Sequence, residues 1–377
     1  MTSSDFWRRL FRLSVFSALA LSVSVNYSAE RARAQAQTSV FRVGVIVPLT
    51  GPLADYGEAV RRGVESARHD YPERFSKIEL VYQDSAYDGK TAVNALQSLM
   101  ARQDVDLYYT WGVSPNEAVL PVADARKLPV IAETTLKSSV VGKPFSVRAA
   151  PTGEMTAKVV ASELAKRGYR SVGILLVDIP YYRDIVESLK RALKASGAAV
   201  EVMDSFSPEA NDFKSTITKL RAKGYDAIGV FLLSDQVVTY YRQAHALHFA
   251  VQTFGASMHD SQELMTRAGQ GAEGALFVGY DVVPEFQSRW MREFNDDSRV
   301  GYGANAYDTA LMIAELFGDG SSANLSSEAT VARFATISPR QGVSGAFSFA
   351  ESPDAGKHFD FPLSARIVKQ GRIERLK

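Results

Sequence analysis

The chain has 377 residues, 46% of them hydrophobic and 23% charged, with 43 basic and 42 acidic side chains. That balance supplies no basic field to hold nucleic acid, and the composition suits a folded chain with a large core. Single cores stop growing near roughly 250–300 residues, so two lobes are expected.

Residues 1–36 are a different kind of sequence. Arg8, Arg9 and Arg12 precede an apolar run over 13–25, and Ala34-Gln35-Ala36 supplies a small-x-small pattern. This is the layout of a cleavable secretory signal peptide. The run is too short to span a bilayer; an uncleaved N-terminal anchor is the alternative. Removing the segment's five arginines and two acids leaves 38 basic and 40 acidic residues. Cysteine is absent, so there is no lipid-attachment residue, and a core of this size needs no disulfides. A freely soluble periplasmic protein is expected.

From residue 41 onward, apolar runs of strand length alternate with helical periodicities. Val43-Gly44-Val45-Ile46-Val47 has the length and β-branched content of a buried parallel strand. Thr50-Gly51-Pro52 then turns the chain into a helix over 54–70, with Val60, Val64 and Ala67 on one face. Strands are expected at 41–47, 78–83, 106–110, 129–131 and 145–148, with helices at 54–70, 90–102 and 115–127 between them. After Ala149-Ala150-Pro151 the rhythm restarts. Its strands fall at 171–177, 200–205, 227–232, 253–255 and 275–279, and its helices at 153–167, 182–196, 212–222 and 236–248, with a short one near 263–267. Such alternation means parallel sheets flanked by helices. Helices at 284–295 and 303–317 follow, then a Gly-Ser-rich loop over 318–327 and a further helix. The tail segments 345–349 and 363–376 read as one hairpin of short strands.

The chemistry of catalysis is missing from the pattern. Gly269-Gln270-Gly271-Ala272-Glu273-Gly274 is formally GxGxxG, but a helix precedes it and a strand follows, the reverse of a dinucleotide fingerprint. His245 and His248 are three apart without a patterned third ligand, so no metal is expected. There is no HExxH, GxSxG or Walker loop; neither an enzyme nor a cofactor is expected. Hydroxyls and aromatic rings do collect where the strands end: Thr50 and Tyr56, 108–114, 133–135, 178–182, Ser234-Asp235 and Ser257. Parallel sheets bind ligands at that edge, so a shared cleft for a small polar or carboxylate-bearing solute is expected.

The stretches TGPLADYG (50–57), YQDSAYDGKTAV (82–93), GVSPNEAVLPVADARKLPVI (112–131), KRGYRSVGIL (166–175), DFKSTITKLRAKGYDAIGV (212–230) and GANAYDTALM (303–312) carry a resemblance in their order. The sequence resembles the type I periplasmic binding proteins of ABC importers, the leucine/isoleucine/valine-binding group, over essentially the whole chain after residue 36. The resemblance implies two doubly wound parallel-sheet lobes joined by three hinge crossings, near 148–151, 279–282 and 339–345. It assigns 37–149 to the first lobe, 150–280 to the second, 281–340 to a return to the first, and 341–377 to the second lobe and hinge.

Carried over by position, the resemblance places the ligand carboxylate at Val113 and Ser114, with Thr134, Thr135 and Leu136 on the next loop. Tyr56, Tyr182 (with Tyr181 close by) and Tyr302 would close over the remainder. Two positions depart from amino-acid binders. Leu233-Ser234 stands where an aromatic is usual, and Ser257 where an acid holds the α-ammonium. A buried ammonium without a carboxylate costs several kcal/mol. Unless Asp235, Asp260 or Glu133 substitutes, the ligand is an amine-free acid or another small solute. The resemblance implies a monomer that captures a branched-chain amino acid or related small carboxylate for an ABC permease. A ligand sensor for a membrane receptor is the alternative.

Overall fold

The computed structural model describes residues 40–376 apart from 103, 196 and 321–324; the expected signal peptide and part of the 318–327 loop lie outside the described residues. Among those residues, no helix is long and apolar enough to cross a membrane.

In the first half the elements run β1 (Phe41–Val47), α1 (Ala54–Asp70), β2 (Ile78–Asp84), α2 (Gly89–Ala101), β3 (Leu107–Trp111), α3 (Val113–Ala125), β4 (Val130–Glu133) and β5 (Ser146–Arg148). The second half repeats the scheme with α4 (Gly153–Lys166), β6 (Ser171–Val177), α5 (Pro180–Ala195), β7 (Ala199–Phe206), α6 (Lys214–Lys223) and β8 (Ala227–Phe231). It continues through α7 (Ser234–Ala246), β9 (Gln252–Gly255), α8 (Gln262–Ala268) and β10 (Leu276–Tyr280). Then come α9 (Pro284–Phe294), α10 (Val300–Phe317), α11 (Ser327–Arg333), β11 (Arg340–Gly342), β12 (Gly345–Ser352), β13 (Gly356–Asp360), β14 (Leu363–Lys369) and β15 (Arg372–Arg375).

The strands form two sheets. One has the order β11-β12-β13-β5-β4-β3-β1-β2, the other β15-β14-β10-β9-β8-β6-β7. Strands β1 to β5 pair in parallel, as do β6 to β10. Each sheet is therefore doubly wound about its first strand, and the switch points lie between β1 and β3 and between β6 and β8. Helices cover both faces of the first sheet. Ile46, Tyr108 and Val130 pack against Leu96, Val119 and Leu120 from α2 and α3, while Val43, Val45 and Tyr109 face the core built with α1 and α10.

The third block returns to the first lobe by laying α10 across α1. A Cβ on Gly63 would stand 2.1 Å from the Gly303 carbonyl oxygen, and one on Gly303 would stand 2.2 Å from the Trp290 ring. The two helices cross at a contact only glycine admits.

The tail departs from its sequence pattern. Residues 341–377 were expected in the second lobe and hinge, with 345–349 and 363–376 as one hairpin, but two hairpins form. β12 and β13 pair antiparallel and join the first sheet through β13 and β5, whereas β14 and β15 add to β10 of the second. The reason is the reach of Phe347, Phe359 and Phe361, all buried, around the turn before Gly356. Consequently the chain last crosses between the sheets at 361–362, between β13 and β14, not at 339–345. The buried Arg148 holds the first crossing to this last one: its guanidinium donates to the Ala150 carbonyl and lies 3.5 Å from the Asp360 carboxylate.

Substituting Gly63→Ala should cost on the order of 1–3 kcal/mol by overpacking the α1–α10 crossing. A urea-unfolding midpoint equal to that of the wild type would show that the crossing yields without strain.

Candidate functional site

The βα loops of both lobes emerge at the strand ends that face each other. Behind β1, the loop into α1 is held by Asp84 at the end of β2, which accepts from Leu49 N (2.8 Å), the Thr50 hydroxyl (2.5 Å) and Ala86 N (2.7 Å). Burial opposes its ionisation, but these donors hold the Asp84 carboxyl below the usual range. Thr50 therefore has a loop-building role, and the rigid loop sets where Tyr56 emerges on α1.

Tyr56 is buried and reaches the opposite lobe. Its hydroxyl lies 2.9 Å from Ser234 Oγ at the start of α7 and 2.7 Å from Met258 Sδ. A second link runs from Tyr302 on α10 to Ser257 Oγ (2.7 Å), which is also 2.9 Å from the Tyr181 hydroxyl. The two lobes thus meet through tyrosine hydroxyls. Around them Tyr56 packs edge-on to Tyr302 (5.0 Å between ring centres), Trp111 lies 5.8 Å from Tyr302, and Tyr87 lies 5.9 Å from Trp111. Arg299 sits over the Tyr56 ring at 4.8 Å and is paired with Asp55.

Between these groups is a cavity of about 40 Å³ walled by Tyr87, Trp111, Gly112, Val113, Glu133, Thr135 and Ala150 from one side and the hinge, and by Tyr181, Ser257, Met258, Tyr280 and Tyr302. That volume holds a few waters at most, and the 300–1,000 Å³ usual for small-molecule sites requires the lobes to part. At one end the Tyr87 hydroxyl faces the first backbone N–H groups of α3, those of Val113 and Ser114. Burial pushes the Tyr87 hydroxyl up to about 12 against those N–H groups. Gly112, at φ +100°, allows this approach, because a Cβ there would stand 2.7 Å from the Tyr87 ring. Thr135 contributes a buried hydroxyl with no hydrogen-bond partner.

Glu133, at the end of β4, is the single carboxyl among the residues walling the cavity. The Tyr109 hydroxyl donates to its Oε1 at 2.5 Å. Burial pushes the carboxyl up to about 8, opposed by the hydroxyls of Tyr109 and Thr309. No Lys or Arg is among the walling residues.

Of the residues expected from sequence, Val113, Thr135, Ser257 and Tyr302 wall the cavity, and Tyr56 and Ser234 form the contact between the lobes beside it. Ser114 presents backbone at the start of α3, and Thr134 is buried with its hydroxyl 3.4 Å from Leu136 N. Tyr182 is not among the residues walling the cavity. Helix α5 begins at Pro180, which turns Tyr182 inward; it is fully buried, packs 5.6 Å from Phe231 and donates to the Leu232 carbonyl at 2.5 Å. Its neighbour Tyr181 takes the cavity position. Trp111 belongs to the 108–114 cluster read from sequence; residues not singled out there are Tyr87, Met258 and Tyr280, all just at or beyond strand ends. Of the acids considered, Asp235 is exposed and paired with Arg267, and Asp260 is paired with Arg366 at 2.8 Å; only Glu133 faces the cavity.

Away from the cleft, Gly269–Ala272 is a 3₁₀ turn between α8 and β10. His245 and His248 line an open surface groove with Tyr241 and Gln252. Among the described residues no group of three or more His, Cys, Asp or Glu could hold a metal.

Comparison with known proteins agrees with this architecture. A family model described as periplasmic binding protein matches residues 40–360. The chain is 25% identical over 281 residues to Leu/Ile/Val-binding protein homolog 6 of Brucella suis, covering 72% of each chain. Among solved structures it is similar to the leucine-binding protein LivK of Thermotoga maritima, with a TM-score of 0.78, 20% identity, and coverage of 90% of this chain and 98% of that one. A solute-binding protein of R. palustris in complex with benzoate also has a TM-score of 0.78, at 15% identity, covering 90% and 96%. LivJ of Streptococcus pneumoniae in complex with isoleucine has a TM-score of 0.74 at 19% identity, covering 90% and 100%.

Replacing Tyr182 by Ala should destabilise the second lobe by about 3–5 kcal/mol, read as a lowered unfolding midpoint; unchanged stability would return Tyr182 to the cleft. Between pH 4.5, the ordinary value, and about 8, folded Glu133 keeps a proton that the unfolded chain releases. Its contribution to stability is therefore complete below pH 4.5 and is lost as pH rises toward 8, by up to about 1.4 kcal/mol per pH unit. The stability difference between wild type and Glu133→Gln, measured by urea unfolding at pH 5 and pH 8, should move in that direction; a difference independent of pH would show that Glu133 is ionised in the fold.

Proposed function

Because the chain belongs to the periplasmic binding protein family, the solute-binding family that serves ABC transporters, we propose that it captures an amino acid or related small carboxylate by lobe closure and passes it to an inner-membrane permease. The observation that carries this reading is the cavity at the two switch points, with walls from both lobes and Tyr56–Ser234 and Tyr302–Ser257 contacts spanning it. A ligand that touches both walls stabilises the closed arrangement by its differential affinity for it.

The roles follow from the geometry. The first-turn N–H groups of Val113 and Ser114 are the donors for a carboxylate, and the free Thr135 hydroxyl is a further donor. Displacing the Tyr87 hydroxyl opens that position. Trp111, Tyr181, Tyr280 and Tyr302 enclose an aliphatic or aromatic body; LivK and LivJ on the one hand and the benzoate-bound R. palustris protein on the other share the fold. The protein works in this reading as an exported, periplasmic monomer without cofactor or catalytic step, its residues 1–36 serving as the export signal.

The test is calorimetric titration of the protein, unfolded and refolded to remove carried-over solute, with leucine, isoleucine, benzoate and 4-hydroxybenzoate. One-to-one binding of at least one of them is expected, and Trp111→Ala should weaken it at least tenfold with folding intact. No binding of any, together with no co-purified small molecule by native mass spectrometry, would overturn the assignment.

A further inference from the structure

Glu133 is the one walling residue whose charge the cavity leaves uncompensated. The Tyr109 hydroxyl from β3 donates to its carboxyl, the Thr309 hydroxyl from α10 lies beside it beyond hydrogen-bond distance, and the Tyr280 hydroxyl from β10 is near enough to feel its charge. The charged side chains of the packed elements are engaged elsewhere. Arg148 on β5 turns to Ala150 and Asp360, Asp308 on α10 accepts from the Val343 and Ser344 backbone, and Asp55 on α1 pairs with Arg299. A buried carboxyl in such a place stays protonated unless a cation arrives.

The rest of the wall is arranged for a cation as well. Tyr87, Trp111, Tyr181, Tyr280 and Tyr302 surround the space beside Glu133, and ring faces attract ammonium groups. An amine-free anion would find the first-turn N–H groups of Val113 and Ser114 and the Thr135 hydroxyl, but it would leave Glu133 without a cation, because no Lys or Arg is in the wall.

We propose that Glu133 is the ammonium-binding group of this cavity, so that the site selects solutes carrying a protonated amine over their amine-free acid counterparts. The proposal rests on the solute-binding reading above and names its substrate class. The acid comes from the end of β4 in the first lobe, whereas the resemblance puts the ammonium partner at Ser257 in the second. On binding, the Glu133 carboxylic acid gives its proton to solvent and its carboxylate pairs with the incoming ammonium, so one proton is released for each solute bound below the carboxyl's titration. Burial holds that titration up near 8. Affinity for a protonated amine therefore rises by up to about tenfold per pH unit from pH 6 to 8 and then levels.

The experiment is calorimetry at pH 6, 7, 8 and 9, in buffers of different ionisation enthalpy. The probes are leucine, isopentylamine and benzylamine as amine-bearing compounds, and 4-methylpentanoate and benzoate as amine-free ones. Binding confined to amine-bearing probes, with proton release at pH 6–7, is expected. Glu133→Gln should weaken that binding at least a hundredfold and flatten its pH dependence while the variant unfolds as cooperatively as the wild type. Preferential binding of 4-methylpentanoate or benzoate, strengthening as pH falls, would overturn the ammonium assignment and make Glu133 a proton donor to a carboxylate, with the solute-binding reading intact. Amine binding that Glu133→Gln leaves unchanged would likewise overturn it. Silence from all five probes overturns the proposal, whereas the solute-binding reading falls only if no co-purified small molecule is found.

Discussion

A parallel sheet sends all its βα loops to one edge, and the architecture of this protein depends on that constraint twice over. Each half of the chain is wound about its first strand, so each has a switch point where neighbouring loops diverge and leave a crevice. Three short crossings turn the two crevices toward each other. Most groups of the candidate site are then strand-end groups: Glu133 closes β4, Trp111 closes β3, Tyr280 closes β10, and Tyr56, Val113 and Tyr181 open the helices that follow, while Tyr302 comes from α10 of the returning block. Hydrophobic burial builds the sheets, chain direction delivers most of the chemistry to one place, and the packing of α10 on α1 adds Tyr302.

Within that place the electrostatics are uneven. Ion pairs occupy its outskirts, with Arg299 on Asp55, Arg366 on Asp260 and Arg267 on Asp235. Each leaves a charge satisfied before it can act on a ligand. The interior keeps one acid among hydroxyls and rings, where low polarity makes its charge costly alone and valuable when paired. Selectivity in such a site comes from which charges are already spoken for.

Local pattern made much of this legible. The bounds of β1 and α1 follow directly from the apolar run at 41–47 and the periodicity at 54–70, which match the observed elements. The six stretches in family order also conveyed the two-lobed fold. What stayed hidden was set by distant contacts. Tyr181 and Tyr182 differ by about 100° around a helix axis, so choosing between them requires knowing that α5 starts at Pro180. The β12–β13 hairpin depends on phenylalanines reaching a sheet formed two hundred residues earlier in the chain. Glu133 is legible in the sequence only as one of three acids able to partner an ammonium; what sets it apart, burial against Tyr109 and α10, comes from distant contacts.

The hydroxyl contacts that join Tyr56 to Ser234 and Tyr302 to Ser257 also have a kinetic meaning. Each is worth about 0.5–1.5 kcal/mol, and both bridge the lobes beside the cavity. In the proposed solute-binding reading capture is gated: the observed rate of association climbs with solute concentration until it reaches the rate at which these two contacts break, and there it saturates. In that reading the same contacts, remade over the cargo, slow its escape, so the tyrosines would set residence time as well as fit.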